Sequence, residues 1–372
     1  MIFDRNARKF SAHGKLAWLA GLLLSLLMPL PQAALADARY AVLNQPAIAV
    51  REPAKVLMIS ITKAGNRLIA VGDHGTIIYS NDNGQTWRQA MVPVQATLTA
   101  VAFATPRVGW AAGDYGVILR TTDGGKSWVK QISGIKVNQL MLASAERFSS
   151  TNPSTPAAQL ALRRAHIFMD AGPDKPFLSI IAKSPTSAEI FGAYRMAVAT
   201  DDGGQSWTDI SLHVGDPVSH NLYDATWIGN SLYIVGEAGT VLRSDNQGTN
   251  FELLPAAADT TLFGILDSGN GIILTYGVAG SAFTSNDSGL TWQRIDLPIE
   301  SNLTAGLVLK SGAILLCTEN GQVLLSNNHG ISFKLLNFDL GTSIFDAIQA
   351  QNSSIVFVGS GGIRVIPLSS LK

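Results

Sequence analysis

Six short segments carry the residues best able to do chemistry. Ser80-Asn-Asp82-Asn-Gly84-Gln-Thr-Trp87 recurs at 121–128, 200–207 and 285–292, with weaker copies at 244–251 and 326–333. The shared pattern is Ser/Thr-x-Asp/Asn-x-Gly-x-x-Trp/Phe. Its defining pairs are Asp82 and Trp87, Asp123 and Trp128, Asp202 and Trp207, Asn246 and Phe251, Asp287 and Trp292, and Asn328 and Phe333. A side-chain oxygen at the third position can accept backbone N–H groups across a turn. The glycine relieves a left-handed backbone position, and the ring can fold back against neighbouring strands. This chemistry is structural: each segment staples a hairpin and is not an active site. His213 and His220, with Asp216 between them, read as a polar loop in preference to a metal site. Cys317 sits in an apolar strand and reads as a buried small hydrophobe. As the only cysteine, it excludes an intrachain disulfide framework and a cysteine-cluster zinc site. No metal or cofactor is expected.

The elements that must position these turns follow from their spacing. The third-position residues repeat with a period of about 41, doubled once between Asp123 and Asp202. Each motif follows two β-rich runs joined by a glycine turn, as in Ala70-Val-Gly72-Asp73-His74-Gly75 and Ala111-Ala-Gly113-Asp114-Tyr115-Gly116. One cycle reads as inner strand A (98–104), then B (108–113), C (117–121) and outer strand D (128–132). After the sixth motif, A, B and C resume at 344–350, 355–359 and 363–367 without a strand D. Segment 39–50 is expected to supply that missing outer strand and so close the ring. The fold class is therefore all-β: a seven-bladed propeller of four-stranded antiparallel blades, with six blades as the rival count.

Composition limits the function classes. The 372 residues are 47% hydrophobic and 15% charged, which excludes a disordered chain. Lys+Arg and Asp+Glu are equal at 27 each, so no strong basic field draws nucleic acid. Residues 1–36 read as a signal peptide. They have a basic start (Arg5, Arg8, Lys9, Lys15), an apolar run over 16–30 and a small-x-small site at Ala34-Leu35-Ala36. Cleavage before Asp37 leaves a mildly acidic protein, periplasmic or secreted, with no membrane span and expected to be a monomer. The propeller then occupies 37–372.

The extra length between the second and third motifs is an insertion at about 136–176. It reads as an irregular stretch followed by one helix over 157–169, with Arg163 and Arg164 on it. As a D-to-A connection, it shares an end of the propeller with the B–C turns. Those turns carry Asp73, His74, Asp114, Tyr115, Tyr194, Arg195, Glu237 and Glu319. The motif turns lie at the other end. Binding concentrates in loops held by a rigid scaffold. The expected partner-binding face is therefore the B–C end, with Asp73, His74, Asp114, Tyr115, Tyr194, Arg195, Glu237, Arg163 and Arg164 as its candidates.

The six turns resemble the Asp-box of bacterial neuraminidase repeats. The run from Val108-Gly-Trp110 through Gly113-Asp-Tyr-Gly116 and Arg120-Thr-Thr-Asp123 to Trp128 resembles the photosystem II assembly and stability factor family and its bacterial relatives. Gly172-Pro-Asp-Lys-Pro176-Phe and Gly236-Glu-Ala-Gly-Thr-Val-Leu-Arg243-Ser are similar to the relatives in non-photosynthetic proteobacteria. The resemblance implies an exported, non-enzymatic propeller. It would act as an assembly or accessory factor for a membrane-protein complex, including exporters of the resistance-nodulation-division type. Just before the motifs only Arg120 and Arg243 are basic, against Tyr79, Ala199, Thr284 and Leu325, which departs from the basic patch of photosynthetic members. The alternative is a glycan-binding protein or a sialidase-like glycosidase. That chemistry needs an arginine cluster and an acid pair or tyrosine near the axis. The inner strands carry almost no ionisable groups, with Tyr223, Asp224, Asp267 and Asp346 as scattered exceptions.

Overall fold

The computed structural model describes residues 40–216 and 218–371. The proposed signal peptide and its cleavage site lie outside them. Contacts divide the chain after Ala41, and Val42–Lys372 forms the propeller unit. Its strands make seven antiparallel sheets in simple up-and-down order, six of four strands and a last one of three. Inner strands are Met58–Ala64, Leu98–Phe103, Phe177–Ala182, Leu222–Ile228, Leu262–Asp267, Leu303–Val308 and Ile344–Gln349. The second strand of each blade is buried along nearly its whole length, because neighbouring blades cover both of its faces. The apolar cores lie between adjacent blades, such as Phe191, Ile234 and Leu242 between blades 3 and 4.

Every inner strand slips register at its second residue. Pairing jumps from Met58 to Ser60, Leu98 to Ala100, Leu222 to Asp224 and Ile344 to Asp346, and the other three blades do the same. Such a bulge re-aims a side chain. The skipped residues, from Ile59 in blade 1 to Phe345 in blade 7, line the axis.

Ring closure differs from the expectation. Blade 7 keeps three strands, Ile344–Gln349, Ser354–Gly359 and Gly362–Pro367. The segment at 42–50 runs instead beside blades 1 and 2. Ala47 N donates to Val92 O (3.0 Å), Gln95 N to Val42 O (2.7 Å) and Val50 N to the Gln89 side chain (2.9 Å). These bonds hold the segment against blades 1 and 2 and away from blade 7. Its last strand is also approached by the single turn Pro53–Lys55, so closely that a Cβ on Gly362 would stand 2.2 Å from Ala54 O. The seam closes by packing Met58, Ile61 and Ile78 against Val356, Val358 and Ile363. The Asp346 carboxylate adds to this by accepting from Ile61 N (2.9 Å) and Ser60 Oγ (3.1 Å).

The insertion holds two helices where one was expected: α1, Gly134–Thr151, and α2, Pro156–Ala171. Thr155 caps α2 by accepting from Ala158 N (3.2 Å), and Pro156 takes the first turn. Asn138 of α1 donates to Phe168 O and Gly172 O at the end of α2, which ties the hairpin together. Val137, Met141 and Phe168 join the core of blades 2 and 3 with Trp110, Phe177 and Trp207.

Candidate partner-binding face

The B–C turns share one construction. Five are single turns of 3-10 helix after a glycine: Asp73–Gly75, Asp114–Gly116, Ala193–Arg195, Glu237–Gly239 and Val278–Gly280. Their first residues donate to the carbonyl just before the inner strand, as Asp73 N does to Leu57 O and Asp114 N to Thr97 O. This locks each B–C turn to the incoming D–A connection, so both lie at one end of the propeller. The approach requires the preceding glycine: a Cβ on Gly113 would sit 2.1 Å from Thr97 O. The third residue has a left-handed backbone and is glycine in four of the five turns. In blade 3 it is Arg195, with φ 57°, a conformation that strains a side-chain-bearing residue.

The predicted face residues fall into separate groups. Asp73, His74 and Asp114 gather at blades 1 and 2. Asp73 accepts from Thr97 Oγ1 (3.0 Å), and His74 Nε2 lies 3.4 Å from its carboxylate. Burial, and then the charge of Asp73, raise the pKa of Asp114. Tyr115 is half-buried beside them. Glu237 lies apart and is engaged within the chain, accepting from the Asn221 backbone and side chain (2.9 Å each). Asn221 also accepts from Tyr194 N (2.8 Å), so it links the turns of blades 3 and 4. Asn302 and Glu319 repeat this arrangement in blade 6, with Ala279 N of blade 5 as the donor. Sequence reasoning missed both asparagines. Their signal is an Asn-Leu pair at the start of an inner strand with a glutamate in the following B–C turn.

Arg164 and Arg195 form a clasp at the base of the hairpin. Arg164 Nη2 donates to Tyr194 O, and Nη1 to Ser219 Oγ (3.3 Å). Arg195 Nη1 donates to Asp216 O and Val214 O. Burial and then neighbouring Arg195 push the Arg164 pKa down to about 10, against the pull of Asp209 and Asp216. Burial likewise lowers Arg195. Arg164 ties α2 to the blade 3 turn and Arg195 holds the loop at 214–216, so neither projects as a docking group. Arg163 is exposed on α2, beside Leu160 (47% exposed) and Ile167 (55%). Tyr194 is half-exposed, edge-on to Phe168 at 6.1 Å, with the Lys175 ammonium over both rings.

The other end holds the six motif turns. Asp123 accepts from Ser127 Oγ (2.6 Å), Ser127 N (3.1 Å), Lys126 N (2.9 Å) and Thr121 Oγ1 (2.8 Å). Asp82, Asp202 and Asp287 accept equivalent bonds. Asn246 and Asn328 keep the backbone bond. Trp128, Trp207 and Phe251 are buried, while Trp87, Trp292 and Phe333 are partly covered. The two histidines of the polar loop lie apart. His220 Nδ1 sits 3.0 Å from Thr240 Oγ1 and 3.3 Å from Asp216, whereas His213 borders a groove with Lys183 and Glu189. Among the described residues no group of three or more His, Cys, Asp or Glu could hold a metal. No described helix is long and apolar enough to cross a membrane.

Sheet order, period and turn geometry define a seven-bladed Asp-box propeller. The family model of the photosynthesis system II assembly factor YCF48 matches residues 86–150, and the BNR/Asp-box repeat model matches 78–89. The photosystem II assembly lipoprotein Ycf48 of Synechococcus sp. (strain CC9902) is 31% identical over 77 residues, or 21% of this chain. That match spans only 23% of the relative's length. A solved structure of YCF48 bound to D1 peptide superposes with a TM-score of 0.62 at 16% identity, covering 87% of this chain and 99% of that one. YCF48 from Cyanidioschyzon merolae gives 0.62 at 13% identity, over 85% and 97% of the two chains. The WD40 propeller domain of Doa1 gives 0.59 at 12%, over 87% and 95%. The chain is thus an Asp-box propeller similar to the photosystem II assembly factors.

Proposed function

We propose that the protein is a non-enzymatic propeller scaffold that docks a membrane-protein partner as an assembly or accessory factor. The carrying observation is the YCF48-type match at 86–150, which covers blade 2 and nearly all of α1. A propeller of the same fold has been solved with a D1 peptide bound, which supports a peptide segment of a membrane protein as the thing recognised. The docking face is the B–C end, which carries Arg163, Leu160 and Ile167 of α2, exposed Tyr194 and, as a separate group at blades 1 and 2, the Asp73–Asp114 pair. The protein works as a monomer in the periplasm after cleavage between Ala36 and Asp37, and an exporter of the resistance-nodulation-division type is the partner class.

Crosslinking in the native host, followed by mass spectrometry, tests this reading. One membrane complex should be recovered with the native protein. The triple variant Arg163→Glu/Ile167→Asp/Asp114→Lys should lower its yield at least about fivefold. Asn286→Lys, at the opposite end, should leave the yield unchanged. Equal loss in both variants, or capture of no membrane protein, rejects the docking face. The exported protein should begin at Asp37 by N-terminal sequencing.

A further inference from the structure

The axis of the propeller holds a cavity of about 450 Å³, partly open to solvent and within the range of small-ligand sites. Its wall is built by the bulged starts of all seven inner strands. Four aromatic rings line it, from Tyr223, Phe263, Tyr276 and Phe345. Two carboxylates, Asp224 and Asp346, face it, and no Lys, Arg or His shares the lining. Tyr223 and Phe263 meet edge-to-face at 5.3 Å.

The polar groups are held in place. Asp224 accepts from Ala225 N (2.8 Å) and from Ile265 N of the next blade (3.1 Å). Asp346 makes the matching contacts across the seam. Tyr276 reaches the cavity from the second strand of blade 5, through a path cleared by two glycines. A Cβ on Gly264 would lie 2.1 Å from its hydroxyl, and one on Gly306 would lie 2.6 Å from its ring. The phenol thus occupies in blade 5 the place that the carboxylate takes in blades 4 and 7.

We propose that this axial cavity binds an organic ammonium group, with Asp224 and Asp346 supplying the charge and the four rings packing around it. Two enclosed carboxylates without a cationic neighbour call for a positive guest. A bare divalent ion wants six or more oxygen ligands, whereas an aromatic-rich wall suits an alkylated ammonium through cation–π attraction. Burial raises the pKa of Asp224 to about 7 and that of Asp346 to about 6, with the charge of Asp346 adding to the former. A bound cation would favour both ionised forms, so its uptake near pH 6.5 should release protons.

Isothermal titration of the purified protein at pH 8 tests the assignment. Tetramethylammonium, butylammonium, N-acetyl-lysine amide and calcium chloride are titrated separately. At least one ammonium should bind, and Asp224→Asn/Asp346→Asn should weaken it at least about tenfold. Phe345→Leu leaves every hydrogen bond in place, so it serves if the double variant does not fold. It should weaken binding about threefold. Tighter binding of the lysine amide identifies a partner's lysine as the guest, and tighter binding of the small ammonium identifies a free amine. Both outcomes support the site. No ammonium binding at 10 mM, calcium binding alone, or binding that Phe345→Leu leaves unchanged overturns it.

Discussion

The aspartates of the motif turns and those of the axis are the same residue put to opposite use. At the rim, Asp82, Asp202 and Asp287 sit in water-exposed turns with pKa values held down to about 2. For Asp202 and Asp287 the main cause is the hydroxyl of Ser206 or Thr291. For Asp82 burial is the largest single influence and pushes upward, but the hydrogen bonds from Thr86 and Ser80 together outweigh it. On the axis, Asp224 and Asp346 also accept backbone N–H groups, yet burial pushes them up to about 7 and 6. Hydrogen bonds decide at the rim and desolvation decides at the axis. The rim aspartates staple hairpins within single blades. The axial ones bridge neighbouring blades, and Asp346 spans the seam that no shared strand closes.

The largest expected effect is therefore at the seam. Asp346→Ala leaves Ile61 N and Ser60 Oγ without an acceptor and should cost about 3 kcal/mol in chemical denaturation. Asp123→Ala, in a partly exposed turn, should cost about 1–2 kcal/mol. A reversed order would break the comparison.

The two sets should also respond oppositely to pH. A carboxyl raised in the fold contributes fully below its unfolded pKa of about 4, and that contribution is lost as pH rises through the folded value. Stability against denaturant should therefore rise from pH 8 to pH 5, by about 1 kcal/mol or more per axial group. Asp224→Asn/Asp346→Asn should flatten that limb. The rim aspartates act the other way: their contribution is present above pH 4 and is lost as pH falls through about 2. Stability should drop steeply there. An unchanged slope between pH 8 and 5 in the double variant would sink the desolvation account.

The smallest effect is expected for Asp202→Asn at pH 7. Asn246 and Asn328 already fill this position in blades 4 and 6 and keep the backbone bond. The acid limb should flatten, because an amide does not titrate, and a loss at pH 7 as large as that of Asp123→Ala would show that the shared backbone bond contributes little beside the charge.

Much of the scaffold is legible in the chain. The motif spacing predicts the blades, and A, B, C and D of blade 2 fall within a residue or two of Leu98–Phe103, Gly109–Gly113, Ile118–Thr121 and Val129–Ile132. Helix α1 is harder to read. Val137, Met141 and Ala145 are buried at helical spacing, but Ser133 makes no side-chain cap and the Ser/Thr-rich end blurs the pattern. The candidate face is legible as a set of turns, though not in its internal pairings. Nothing local says that Asn221 will hold Glu237 and Tyr194 N together, or that Arg164 will turn inward.

Local chemistry repeated along the chain determined the Asp-box turns, the period and the antiparallel blades, because each depends on residues within about ten positions of one another. The tertiary structure alone decided how the ring closes, which arginines are buried and that Asp224 meets Asp346 across one cavity. Those outcomes join residues far apart in the chain, from about 20 to 55 positions for the arginines to 285 for Asp346 and Ile61, and only the packing of blades and hairpin brings them together.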